Sequence, residues 1–141
     1  MKKLGREQFR NLIFGAEDSL VSTLGILFGI ASAGEFNRHQ IIVAGIIAIF
    51  VEATSMGAGS FLSESSAEEI DGHSEKGCDC DHHKGADPTT DGIIMFFSYF
   101  IAGFIPLAPF IFFEPETAKF LAIGASLSTL FILGYIPTKK F

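Results

Sequence analysis

Residues 41–51 read Ile41-Ile42-Val43-Ala44-Gly45-Ile46-Ile47-Ala48-Ile49-Phe50-Val51, and residues 52–63 continue Glu52-Ala53-Thr54-Ser55-Met56-Gly57-Ala58-Gly59-Ser60-Phe61-Leu62-Ser63. The first eleven carry no polar side chain, and the next twelve carry one charge. A helix needs about 20 mostly apolar residues to cross ~30 Å of hydrocarbon, and 41–62 meets that length. The same test gives three more spans: 12–33, 92–113 and 118–137. The stretches 19–34 and 92–113 contain no Asp, Glu, Lys or Arg at all, whereas a soluble domain interleaves polar residues along every helix. Pro106 and Pro109 predict a kink or a thinned turn in the second half of the third span.

Hydrophobic residues make up 48 % of the 141, with 16 Phe and no Trp, yet mean hydropathy is only +0.40. The dilution comes from one acidic loop, 63–91. Nine of the sixteen acids lie in 64–91, against Lys76 and Lys84, and this segment dominates the net charge of −6. Such a balance excludes a nucleic-acid partner, which needs a basic surface to neutralise phosphates. Lys2, Lys3, Arg6, Arg10, Lys76, Lys84, Lys139 and Lys140 flank one side of the spans, and only Arg38 and Lys119 the other. Basic residues stay cytoplasmic, so both termini and the 63–91 loop are expected in the cytosol. A cleaved leader ending at Ala31-Ser32-Ala33 is the competing reading of the first span, and Glu17 and Asp18 inside the apolar stretch argue against it. The fold class is all-α: one polytopic membrane helical bundle over 1–141, with about four transmembrane helices and a short cytosolic loop bearing acids, Cys and His.

The informative residues are acids within the spans, each costing roughly 2.5–3.5 kcal/mol at mid-bilayer. Asp18 falls about 6 residues, ~9 Å, into the first span, and Glu52 sits at the middle of the second. Met56 lies four residues beyond Glu52 and therefore on the same face. A carboxylate with a thioether suits Fe²⁺ or Mn²⁺ better than Ca²⁺ or Mg²⁺, which want oxygen only; a packing methionine and a protonated, hydrogen-bonded carboxyl are the plainer alternative. Ser22, Gly25 and Gly29 on the first span and Ala53, Gly57 and Gly59 on the second permit close helix contact, and are expected to bring the backbones carrying Asp18, Glu52 and Met56 together.

Beyond the second span a helix is predicted to run out of the membrane to Gly72. It carries Glu64, Glu68 and Glu69, with Glu64 and Glu68 on one face, where like charges repel unless a cation bridges them. His73 and then Cys78-Asp79-Cys80-Asp81-His82-His83 follow, a metal-binding composition without zinc-finger spacing. Cysteines at 78 and 80 make a poor structural disulfide and suit a reduced compartment.

Three blocks of this sequence resemble the vacuolar iron transporter family. The first is Gly15-Ala16-Glu17-Asp18-Ser19-Leu20-Val21-Ser22-Thr23-Leu24-Gly25, followed by Gly29, similar to the family's Gly, two variable residues, then Asp-Gly-Leu-Val-Ser. The second, Glu52-Ala53 with Ser55-Met56-Gly57-Ala58-Gly59-Ser60-Phe61, resembles its Ser-Met-x-x-Gly-x-Tyr/Phe signature. The third, Gly103-Phe104-Ile105-Pro106-Leu107-Ala108-Pro109, is similar to its Gly-x-x-x-Pro-Leu-x-Pro. The resemblance implies a homodimer in the bilayer with a metal path at or near the interface. It places Asp18 and Met56 on that path and, more loosely, the glutamates after the second span in a metal-capture site. It also implies export of Fe²⁺ or Mn²⁺ from the cytosol in exchange for protons, at the cell membrane of a prokaryote or the vacuolar membrane of a eukaryote. Ser19 departs from the family's Gly, the capture region is short and bears Cys and His, and the family has five spans where four appear here.

The candidate metal residues are therefore Asp18, Glu52, Met56, Glu64, Glu68, Glu69, Cys78, Cys80, His82 and His83. The ion is cargo, and no cofactor is expected. No nucleophile–base set or nucleotide-binding loop points to an enzyme. A membrane-anchored sensor or chaperone, binding metal through 64–83 without transporting it, is the alternative class; a structural subunit is a third, which leaves the metal-like loop unexplained. A reporter fused after Phe141 is expected to read as cytoplasmic, and an external reading overturns the four-span topology.

Overall fold

In the third apolar stretch the local signals agree on where a helix begins. Asp87 takes the N-cap position, its carboxylate accepting from the Thr89 N–H at 3.4 Å, and Pro88 follows at the first helical position, where its missing N–H costs nothing. The computed structural model describes residues 6–74 and 87–140, with side chains described over 8–67 and 87–135. It contains four helices: α1 (Arg6–Ala33), α2 (Arg38–Ser74), α3 (Pro88–Phe112) and α4 (Pro115–Lys140). All four are long and apolar enough to cross a membrane. Helix α3 runs without interruption through Pro106 and Pro109 and ends shortly after them, the Phe113 N–H closing on the Pro109 carbonyl at 2.9 Å. Helix α2 continues past Gly72 to Ser74, slightly beyond the stop predicted from the sequence; helix ends are soft by this much.

The links at one end are short and self-capped. Gly34 adopts φ +73°, the left-handed conformation that closes a helix C-terminus and that side chains with a Cβ resist. Asn37 and Gln40 then form a reciprocal cap: the Gln40 N–H donates to Asn37 Oδ1 and the Asn37 N–H to Gln40 Oε1, each at 3.0 Å. Only residues 113–114 separate α3 from α4, where Lys119 pairs with Glu116 at 3.0 Å.

Helix α3 is central. It packs on α1, α2 and α4, and its contacts with α1 and α2 are more extensive than those α1 and α2 make with each other. Leu27, Ile41, Ile49, Leu107 and Phe110 are fully buried with Ala118 and Ala122 of α4 in one core. The outer surface is apolar: Phe131 is 76 % exposed, Phe120 71 % and Ile101 66 %. A water-soluble monomer does not show so much contiguous apolar surface; a lipid-facing bundle does.

The close helix contacts differ from those expected of the small residues. Gly57 faces α3, not α1: a Cβ there would stand 3.0 Å from the Gly92 carbonyl oxygen, and one at Gly92 would stand 2.9 Å from the Gly57 carbonyl oxygen. Gly25, Gly29 and Gly59 have open space where a Cβ would be. The reason is geometric, since small residues mark where a backbone can approach but not which neighbour does. Gly92→Ala is therefore expected to lower stability by about 1–3 kcal/mol, the usual range for overpacking. Gly124→Ala, with open space around it, should be neutral or gain up to ~1 kcal/mol of helix propensity. Thermal unfolding in mild detergent measures both, and equal midpoints for the two variants would refute the Gly57–Gly92 contact.

Candidate functional site

Three helices meet at mid-length around one carboxylate. Glu52, half-buried on α2, accepts from Ser22 of α1 through Oε2 at 3.1 Å. The same oxygen accepts from the Tyr99 hydroxyl of α3; Ser22 Oγ and Tyr99 OH also touch, and because each carries one proton, a bond between them replaces one of those to the carboxylate. Tyr99 is 1 % exposed. Its backbone is tied as well, because Ser19 Oγ of α1 donates to the Tyr99 carbonyl at 2.6 Å. Ser98 similarly donates to the Leu12 carbonyl. Burying a carboxyl among apolar helices is costly without such partners, and here they come from two neighbouring helices.

Toward the end of the bundle opposite the short links lies a cavity of about 570 Å³ between α1, α2 and α3. Met56 and Glu64 of α2, Arg10 and Asn11 of α1 and Met95 of α3 line it, with Ser55, Ser60 and Ser63 supplying hydroxyls. A second, apolar groove of about 340 Å³ runs along the α2–α3 seam past Gly57, Gly92 and Phe96. With Thr54 and Thr89 as its only polar lining residues, it offers an ion nothing to bind.

The sequence candidates thus fall into separate places. Met56 and Glu64 share the cavity. Glu52 lies one turn deeper, in the hydroxyl cluster. Asp18 is on the exposed face of α1, while Glu17 beside it is half-buried. Glu68 and Glu69 belong to α2, but their side chains lie outside the described residues, as do Cys78, Cys80, His82 and His83 and with them the loop. Among the described residues, no three of His, Cys, Asp and Glu come together as a group able to hold a metal.

Sequence reasoning missed Tyr99, Arg10, Asn11, Met95 and Asp91. Asp91, on the first turn of α3, is fully buried; an acid following a capping Asp and a Pro is the signal of a helix N-terminus, where the dipole favours negative charge. Tyr99 offered a weaker signal, a phenol inside an apolar span that needs a hydrogen-bond partner. The departure at Ser19 has a structural explanation. Its hydroxyl is buried against α3, and Gly103 leaves the room, since a Cβ there would stand 3.0 Å from Ser19 Oγ and 2.8 Å from the Ile49 side chain.

Four membrane-length helices with polar groups gathered inside them define a multi-pass membrane protein built around an intramembrane polar site. The model of the VIT family matches residues 9–76 and 67–140, and the chain belongs to that family, whose members are membrane metal transporters rather than enzymes. The chain is also 28 % identical over 144 aligned positions to an uncharacterized protein of Methanocaldococcus jannaschii, covering 92 % of this chain and 73 % of that one. No solved structure matches.

The cluster is testable without any assumption about transport. Tyr99→Phe and Ser22→Ala should each reduce stability by roughly 1 kcal/mol, the scale of hydrogen bonds between membrane helices. Because both hydroxyls serve one carboxylate, the double variant should lose less than the sum. Strict additivity in detergent unfolding would mean that the two hydroxyls act independently.

Proposed function

We propose that this chain exports Fe²⁺ or Mn²⁺ from the cytosol in exchange for protons, acting as a homodimer. The observation that carries the reading is the stepwise arrangement of donors along α2, with Glu64 and Met56 on the open cavity and Glu52 one turn deeper among Ser22 and Tyr99. A cation entering the cavity meets a carboxylate that offsets the charge of Arg10, together with hydroxyls and a thioether, donors that suit Fe²⁺ or Mn²⁺ better than Ca²⁺ or Mg²⁺. It then reaches the carboxylate of Glu52, where its charge displaces hydrogen bonds from Ser22 and Tyr99. The acidic extension of α2 and the 78–83 segment collect cations at the cytosolic mouth.

Support for the dimer comes from α1. Phe14, Asp18, Val21, Gly25, Phe28 and Ser32 are all exposed, spaced alternately four and three residues apart, the repeat of a helix–helix seam. A carboxylate on such a face, left in lipid, costs roughly 2.5–3.5 kcal/mol. Pairing α1 with its copy removes Asp18 from lipid and places two carboxylates beside one path.

The test is metal uptake into proteoliposomes with Fe²⁺, Mn²⁺, Zn²⁺ and Ca²⁺ compared. Asp18→Asn and Glu52→Gln should each lower uptake of every divalent ion by about tenfold or more, or about 1.4 kcal/mol. Met56→Ala should depress Fe²⁺ more than Mn²⁺. Joint replacement of Cys78, Cys80, His82 and His83 should raise the concentration for half-maximal rate and spare the maximal rate. Cysteines introduced at Val21 or Gly25, on the open face of α1, should cross-link two chains. Normal Fe²⁺ uptake by Asp18→Asn refutes the path; loss of uptake only in the 78–83 variant makes the sensor or chaperone class the better account.

A further inference from the structure

Thr54, Ser65, Ser128 and Thr129 each donate to the carbonyl four residues earlier on their own helix, at 2.7 to 2.9 Å, the usual resort of a helical hydroxyl away from water. Thr23 of α1 and Ser126 of α4 do not. Both are fully buried, and neither hydroxyl has a hydrogen-bond partner among the described residues. The two lie at one level of the bundle. Leu27 of α1 shares an apolar cluster with Leu107 of α3 and Ala122 of α4, and Leu20 of α1 shares another with Ala102 of α3 and Leu130 of α4. Thr23 lies between Leu20 and Leu27, and Ser126 lies between Ala122 and Leu130, four residues from each. On α3 the level between Ala102 and Leu107 belongs to Pro106, which is fully buried. Pro106 has no N–H to give the Ala102 carbonyl one turn earlier. Helix carbonyls point toward the C-terminus, so this one points into the same level.

We propose that Thr23, Ser126 and the Ala102 carbonyl together bind one internal water molecule inside the membrane-spanning bundle, where α1, α3 and α4 meet. The water donates to the carbonyl and to one hydroxyl oxygen and accepts from the other hydroxyl. Three bonds are the usual complement of a buried water, and hydroxyls and ordered waters are what satisfy a carbonyl freed by proline within a membrane helix. The three protein oxygens are neutral. They suit a neutral ligand, whereas an ion among them would be buried without a counter-charge. Helix α4 contributes nothing to the Glu52 cluster, and the water site does not rest on the transport reading.

The test is water-edited solid-state NMR on the full chain, labelled with carbon-13 at threonine and serine, in lipids with deuterated acyl chains. Magnetisation should pass from water to the Thr23 and Ser126 β-carbons, each signal being identified by its disappearance in Thr23→Val or Ser126→Ala. Thr129, whose hydroxyl is bonded to the Ala125 carbonyl, should stay dry and serves as the internal control. Ser126→Ala removes one of the three partners and should abolish transfer to Thr23. Pro106→Ala, which restores an N–H to the Ala102 carbonyl, should do the same. A parent in which Thr23 is as dry as Thr129 overturns the proposal, and that measurement decides the matter even where a variant folds poorly. Transfer to Thr23 that survives unchanged in folded Ser126→Ala or Pro106→Ala overturns the three-point site as well, because the water would then be held elsewhere.

Discussion

Inside hydrocarbon, water does not push helices together, because lipid tails are as apolar as leucine; association rests on close packing and on hydrogen bonds between helices. In this bundle both are concentrated on α3. Tyr99 ties it to α2 through its hydroxyl and to α1 through its carbonyl, and Gly92 lets its backbone lie against that of α2 at Gly57. Remove α3 and little remains to hold α1 against α2, whose mutual contacts are the lesser ones. Ser19, Ser22 and Glu52 all take their interior partners from this central helix.

The same elements serve packing and chemistry. Glu52 belongs on α2 because Ser22 and Tyr99 satisfy it there, and they converge only because α1 and α3 cross at that level. Ser19 illustrates how a departure from the family pattern is absorbed: a side chain replaces a glycine, and its volume is met by Gly103 while its hydroxyl finds a carbonyl. Asp18 remains apart, on a face of α1 that the single chain leaves open.

The helices were legible in the sequence because apolar length is a local signal; Asp87-Pro88 and Gly34 fix where α3 begins and α1 ends in the structure. Their extents differ from the spans read from sequence by the turns outside the apolar core. Glu52 stood out by the cost of an acid within a span, and Met56 by its spacing from it. What could not be read was which helix faces which. Gly25 and Gly57 look equivalent in sequence, yet one has open space and the other meets a backbone carbonyl. Tyr99 and Met95 acquire meaning only through residues on other helices, at separations no periodicity encodes.

The links at 34–37 and 113–114 lie at the same end of the bundle and close their own hydrogen bonds, through Asn37 with Gln40 and through Phe113 on Pro109. Each pair of helices is a hairpin whose tip is a few residues long, so little irregular backbone separates one apolar stretch from the next. Assembly then reduces to docking two hairpins, α1–α2 and α3–α4, and the seam they form is the one lined by Glu52, Ser22 and Tyr99. The polar interior is completed only when both halves have arrived.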